Sequence, residues 1–192
     1  MDRQFQCGSR RIGRRAVTEL GLCVAFAPRL ALAQTEPTRE RPQENDLLVA
    51  VGSTATPAPL RPDDLPLGDK PTMAWPMDPE NSAVRSGSRL NKVLLLHLDP
   101  EGFDLETRGH AADGFVAYSA ICTHTGCDVI GWHPDSHRLE CPCHYSQYDP
   151  KTAAQVVSGP APRPLPALPL RIEDGRLVVA KPFTGRAGFQ QV

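Results

Sequence analysis

Residues 114–149 read GFVAYSAICTHTGCDVIGWHPDSHRLECPCHYSQYD. Within them stand four cysteines, Cys122, Cys127, Cys141 and Cys143, interleaved with His124 and His144. They fall in two loops, C-T-H-T-G-C at 122–127 and C-P-C-H at 141–144, each offering two thiols and one imidazole. The residues between the loops have the make-up of a β-hairpin. Gly114 to Ile121, just before the first loop, is a Val- and aromatic-containing run of the strand type.

Three chemistries draw on such a set. A zinc ion takes four ligands in a tetrahedron, and structural zinc sites favour Cys-x2-Cys pairs. The spacings here, C-x4-C and C-x-C, are neither, and six candidate donors would leave two reactive thiols over. A dithiol redox enzyme wants Cys-x-x-Cys, which the chain lacks. The third is a 2Fe–2S cluster held by both thiolate and imidazole.

The two loops closely resemble those of the Rieske family, which read C-T-H-x-G-C and C-P-C-H. The resemblance implies one 2Fe–2S cluster, with Cys122 and Cys141 binding one iron through thiolate and His124 and His144 binding the other through imidazole nitrogen. It implies that Cys127 and Cys143 form a disulfide tying the loops together. Ser146 and Tyr148 stand where the family places hydroxyls that hydrogen-bond cluster sulfurs. Gly159-Pro160-Ala161-Pro162 matches the proline loop that covers the cluster's third side.

Neutral imidazole in place of two thiolates raises the reduction potential. Rieske centres span about −150 to +300 mV, against about −400 mV for four-thiolate plant-type clusters. Hydrogen bonds from Ser146 and Tyr148 would raise it further. Low-potential Rieske ferredoxins lack both disulfide cysteines, so Cys127, Cys143, Ser146 and Tyr148 together point to the high-potential branch. The implied function is electron transfer, with no catalytic site of its own, as subunit or partner of a periplasmic respiratory oxidoreductase. The implied partner is a redox protein: a molybdoenzyme, a cytochrome b or a c-type cytochrome. Quinol-oxidising members usually have Leu where Thr125 stands and Gly where Tyr145 stands. An aromatic at 145 looks more like the small subunit of arsenite oxidase. The Rieske subunit of a quinol–cytochrome c reductase is the alternative, and a zinc-stabilised binding module the alternative of another class.

Outward from the loops, strand signals recur at 46–51, 92–98, 128–131, 138–141, 155–158, 170–173 and 176–180, the last two joined by an Asp174-Gly175 hairpin turn. Residues 102–113 have room for one helical turn. Residues 52–91 carry seven of the chain's 20 prolines and predict loop, pinned to a core at Met73, Trp75 and Met77. The histidines outside the loops, His97, His110, His133 and His137, predict ordinary strand and loop positions. The sum is all-β: a small antiparallel Rieske-like β-sandwich with an inserted two-loop cluster-binding subdomain at about 118–163. The domain is expected over 46–183, with a linker at 34–45 and a tail at 184–192.

The first 33 residues differ. Arg3, Arg10, Arg11, Arg14, Arg15 and Arg29 against Asp2 and Glu19 make this stretch basic, in a chain whose net charge is −1. Two Arg pairs precede a weakly apolar run, Ala16 to Ala27, and Ala31-Leu32-Ala33 supplies small residues for cleavage. The layout predicts a twin-arginine-like export signal at 1–33 and a periplasmic protein exported folded. The apolar run is short of the roughly 20 residues a membrane span needs, so membrane contact is expected only through residues 16–33 or a partner, an uncleaved anchor at the periplasmic face of the inner membrane being the alternative. A pI near 6.6 gives no electrostatic case for nucleic acid.

Overall fold

The computed structural model describes residues 36–52 and 57–189. The expected export signal at 1–33 lies outside the described residues. Among the described residues, no helix is long and apolar enough to cross a membrane. The strands are β1 (Leu47–Ala50), β2 (Thr72–Met77), β3 (Val93–His97), β4 (Phe115–Ser119), β5 (Gly131–His133), β6 (Arg138–Cys141), β7 (Ser146–Asp149), β8 (Gln155–Ser158), β9 (Leu170–Glu173) and β10 (Arg176–Val179). A short helix α1, Leu105–His110, fills the gap between β3 and β4. All strand pairings within the sheets are antiparallel, in agreement with the all-β reading.

Two sheets result. One has six strands in the order β4-β3-β2-β1-β10-β9, and the other has four in the order β5-β6-β7-β8. The six-stranded sheet curls back on itself. Just before β9, Ser119 N–H donates to the Pro166 carbonyl at 2.9 Å and Leu168 N–H to Ala117 at 2.8 Å, so β4 finds a partner on its free edge. Such pairing removes an exposed edge.

Alternation along the strands divides the core. Leu48, Ala74, Val93, Leu95, Phe115, Ala117, Leu177 and Val179 point into the curl. On the opposite face of β3 and β4, Leu94, Leu96, Val116 and Tyr118 pack against Leu139, Tyr148 and Leu165, with Cys122 and Cys141 in the same cluster. The four-stranded sheet therefore sits on the β3–β4 face, and Cys141 at the end of β6 joins Cys122 from beyond β4 inside a shared apolar core.

The stretch 52–91 is not all loop. β2 lies at the centre of the larger sheet, although it contains Pro76. Its pairing with β3 covers Thr72 to Ala74, whereas Pro76 lies opposite Leu48 of β1. The proline thus falls beyond the β3 pairing, where its missing N–H removes no ladder bond on that side. Met77 and Trp75 pack under β1 and β10, and Met73 packs on the β3–β4 face. The same stretch supplies Arg85, whose side chain is 3% exposed and pairs with Asp46 at 2.7 Å and Glu40 at 2.8 Å, fastening residues 40–46 to the sheet.

Two further details differ from the sequence reading. The strand expected at 128–131 begins at Gly131, because Asp128 instead forms an isolated bridge with Ile121. β7 was not anticipated, and it holds both hydroxyl residues.

Candidate metal centre

Both cysteine loops are extensions of strands. Beyond β4 the chain turns back on itself: Cys122 N–H donates to the Cys127 carbonyl at 2.8 Å, and Gly126 N–H to the Cys122 carbonyl at 3.1 Å. Gly126 has φ 80°, a left-handed conformation that glycine adopts without strain. The second loop joins β6 to β7, and its turn is closed by Tyr145 N–H on the Cys141 carbonyl at 2.9 Å. Tyr145 has φ 56° and is 69% exposed. A disulfide joins Cys127 to Cys143, with an S–S distance of 2.11 Å.

The two remaining described cysteines, Cys122 and Cys141, carry free thiols and are buried. Burial pushes the Cys141 thiol above its usual range, and the neighbouring Cys122 sulfur adds to the effect. His124 and His144 lie on the outer side. Their Nδ1 atoms stand 3.2 Å apart, with ring planes at 83°.

Period-two geometry brings the hydroxyls to the cysteines. β6 and β7 pair Cys141 with Ser146 and Leu139 with Tyr148, and these four residues are buried on one face. The Tyr148 hydroxyl is 3.2 Å from the Cys122 sulfur. The other face carries Glu140, which accepts from Gln147 at 2.8 Å and lies 3.0 Å from His133, so this histidine has a local surface partner. The carboxyl of Glu140 is held below its usual range by the Gln147 hydrogen bond and then by His133.

Residues 159–162 form the third wall. A Cβ at Gly159 would lie 2.5 Å from Ser146 Cα and 2.8 Å from the Tyr145 carbonyl oxygen, so the approach requires glycine. Ala161 N–H donates to Ser146 Oγ at 3.1 Å.

Sequence reading missed two groups of residues. Thr123, 1% exposed, donates its hydroxyl to the Arg163 carbonyl at 2.7 Å, and its N–H reaches the Tyr148 oxygen at 3.4 Å. Asp128, just past the first loop, is gripped by Arg89 and Lys92, each at 2.7 Å. Burial works to raise the Asp128 carboxyl, but the hydrogen bonds from Lys92 and Arg89 outweigh it and hold the group below its usual range. Thr123 had a signal in its place inside the motif. Asp128 had none, because its partners lie 36 and 39 residues away.

A metal group needs donors that are free to bind it. The sulfurs of Cys127, Cys141 and Cys143 lie within 4.8 Å of one another, but two of them are joined in the disulfide and have no thiolate to give. What remains is two thiols and two imidazoles. Two nitrogens each about 2.1 Å from one tetrahedral ion are separated by about 3.4 Å, close to the 3.2 Å seen between His124 and His144. The histidine pair thus fits one metal atom, and the buried sulfurs, with a hydroxyl 3.2 Å from one of them, fit a thiolate-bound second.

The family model for the Rieske [2Fe-2S] domain matches residues 101–169, which include both loops. The cytochrome bc1 complex Rieske iron-sulfur subunit of Streptomyces lividans is 34% identical over 122 residues, covering 62% of this chain and 71% of that protein. A Haloferax mediterranei protein named as the Rieske subunit of a respiratory nitrate reductase is 36% identical over 97 residues, covering 50% of this chain and 43% of that one. The cytochrome bc1 complex Rieske subunit of Corynebacterium diphtheriae is 36% identical, with 78% of this chain and 37% of that one covered. Apart from the Streptomyces lividans protein, the chain spans less than half the length of these relatives. Among solved structures, the soluble domain of Rieske protein II from Sulfolobus acidocaldarius is 23% identical, covers 46% of this chain and 61% of that chain, and has a TM-score of 0.39.

Proposed function

Because the chain belongs to the Rieske [2Fe-2S] family and its function is electron transfer through one 2Fe–2S cluster, we propose that it is a high-potential electron carrier of an exported respiratory oxidoreductase. Its ligands in this reading are Cys122 and Cys141 on one iron and His124 and His144 on the other. The observation that carries the assignment is the 3.2 Å approach of the His124 and His144 Nδ1 atoms, outside a core that buries Cys122 and Cys141.

The bound cluster supplies one-electron redox chemistry. The chain's own residues set its conditions. The Cys127–Cys143 disulfide braces two loops with little core of their own. Tyr148 donates to the Cys122 sulfur and withdraws electron density from it, which favours the reduced form. Ser146 has its oxygen engaged by Ala161 N–H, which leaves its own proton to be donated. Gly159, Pro160, Ala161 and Pro162 exclude water from the third side. The two histidines are the route by which a redox protein reaches the centre.

Two donors fit this carrier. The loop residues Thr125 and Tyr145 support a molybdoenzyme, since both depart from the quinol-oxidising pattern. The similarity to cytochrome bc1 Rieske subunits supports the alternative, a quinol–cytochrome c reductase. Isolation of the tagged full-length protein from native cells, followed by metal and haem analysis of what accompanies it, decides between them. Stoichiometric molybdenum supports the first reading, and b-type haem the second. A periplasmic location, by export of residues 1–33, belongs to the same proposal and is tested by fractionation.

A further inference from the structure

Arg163 follows the proline loop, and both ends of the residue are tied to the metal centre. Its carbonyl accepts the Thr123 hydroxyl at 2.7 Å, one residue after Cys122. Its guanidinium donates through Nη2 to the Gly188 carbonyl. Gly188 lies on the stem of the first loop. A Cβ there would stand 2.9 Å from Leu90 Cδ2 and 3.3 Å from Ile121 Cγ2, and its φ is 76°. Ile121 immediately precedes Cys122.

The neighbouring C-terminal residues form a strap along this flank. Thr184 N–H donates to the Ala167 carbonyl at 2.9 Å, and the Ala167 N–H donates back to the Thr184 hydroxyl at 3.0 Å. Ala187 is buried. A Cβ at Gly126, inside the first loop, would meet Phe189 Cβ at 3.7 Å. Residues 184–189, expected as a tail, therefore lie against the first loop at Ile121 and Gly126.

Arg163 carries a full positive charge. Among the described residues, no carboxylate lies within ion-pair distance of it. Arg186 lines the same surface cleft, together with Glu106, Pro164 and Thr184. An arginine nevertheless stays protonated at any pH the protein meets. The half-buried guanidinium is thus a fixed cation on the flank of the first loop, held to Gly188, which packs against Ile121, the residue before Cys122.

We propose that Arg163 is a positioning residue of the redox centre, latching the C-terminal strap over the first loop and holding a fixed positive charge that favours the reduced state. The proposal rests on the cluster assignment above. Reduction adds one electron from the donor protein to the centre, and a cation held in a partly desolvated flank stabilises the added negative charge.

Three variants of the full-length protein separate the latch from the charge. Arg163→Gln keeps a donor for the Gly188 carbonyl and loses the charge, Arg163→Lys keeps the charge, and Arg163→Met loses both. Iron and acid-labile sulfide, melting temperature and midpoint potential are measured for each. The expected result is a lower potential in Arg163→Gln with little change in melting temperature, a potential near wild type in Arg163→Lys, and a fall in both quantities in Arg163→Met. An unchanged potential in cluster-loaded Arg163→Gln, or a potential in Arg163→Lys as low as in Arg163→Gln, overturns the proposal. Should Arg163→Met fail to fold, the Gln and Lys variants still decide it. Wild-type protein without two irons and two sulfides would instead overturn the cluster assignment.

Discussion

The phenolic oxygen of Tyr148 lies 3.2 Å from the sulfur of Cys122, across 26 residues of chain. Thr123 N–H donates into the same oxygen at 3.4 Å, and a thiolate at Cys122, having no proton of its own, accepts from the phenol. Burial, and then the nearby Cys122, push the Tyr148 hydroxyl well above its usual range, so it stays protonated and remains a donor.

Tyr148→Phe therefore removes one hydrogen bond to a ligand sulfur while keeping the ring in the core. A net hydrogen bond is worth about 1 kcal/mol. At 59 mV per tenfold change for one electron, this corresponds to a fall of roughly 40 mV. Protein-film voltammetry measures it, and the double variant with Ser146→Ala is expected to fall further. No shift in the double variant contradicts the hydrogen-bonded assignment.

The ligand assignment predicts two irons and two acid-labile sulfides per chain, and a Rieske-type EPR signal on reduction. Cys122→Ser, His124→Ala, Cys141→Ser and His144→Ala each abolish that signal. One equivalent of zinc without iron in the purified protein would sink the assignment.

Loss of the disulfide should weaken the loops before it empties them. Cys127→Ser leaves all four proposed ligands in place and opens a bridge between residues 16 apart in sequence. A bridge closing a loop of this size contributes about 3 kcal/mol. The expected result is a lower melting temperature with much of the iron retained. Immediate loss of all iron at low temperature would show that the bridge, and not the ligands, holds the group.

Asp128 gives a pH dependence with a defined sign. Its carboxyl is held below the usual carboxylate range by Lys92 and Arg89. The stability it contributes is therefore fully present above the unfolded value, about 3.9, and is lost as pH falls through the lower folded value. Asp128→Asn should cost no more than about 1 kcal/mol near neutral pH, since Arg89 is largely exposed. The difference between wild type and variant should close below pH 4. Denaturation of the two proteins from pH 7 to pH 3 checks it, and a gap that widens with acid runs against this account.

Gly159→Ala tests the proline loop. The added methyl meets Ser146 backbone at 2.5 Å in a residue with φ 87°, so the wall must move. Greater solvent access to the centre is expected, read as faster loss of iron to a chelator than from wild type. An unchanged rate would mean that the loop does not seal that side.

Much of the centre was legible because its residues act locally. Two short loops hold the cysteines and histidines at fixed spacing, and alternation in GFVAYSAI places Phe115 and Ala117 on a predictable face, whereas the strand that carries Ser146 and Tyr148 was not legible in SQYD. β2 was hidden because proline argues against a central strand. That local rule ignores which side of the strand is still paired at Pro76, and only the register with β1 and β3 fixes this.

The sequence by itself determined the two loops of cysteine and histidine and the all-β class, because spacing and strand periodicity are properties of neighbouring residues. The tertiary structure decided the placement of Asp128 between Arg89 and Lys92, the closure of the larger sheet through Pro166 and Leu168, and the folding of residues 184–189 onto the first loop. These are pairings between distant segments, most of them by backbone groups. Every residue but proline carries the same N–H and C=O, so nothing in the side-chain pattern says which will meet.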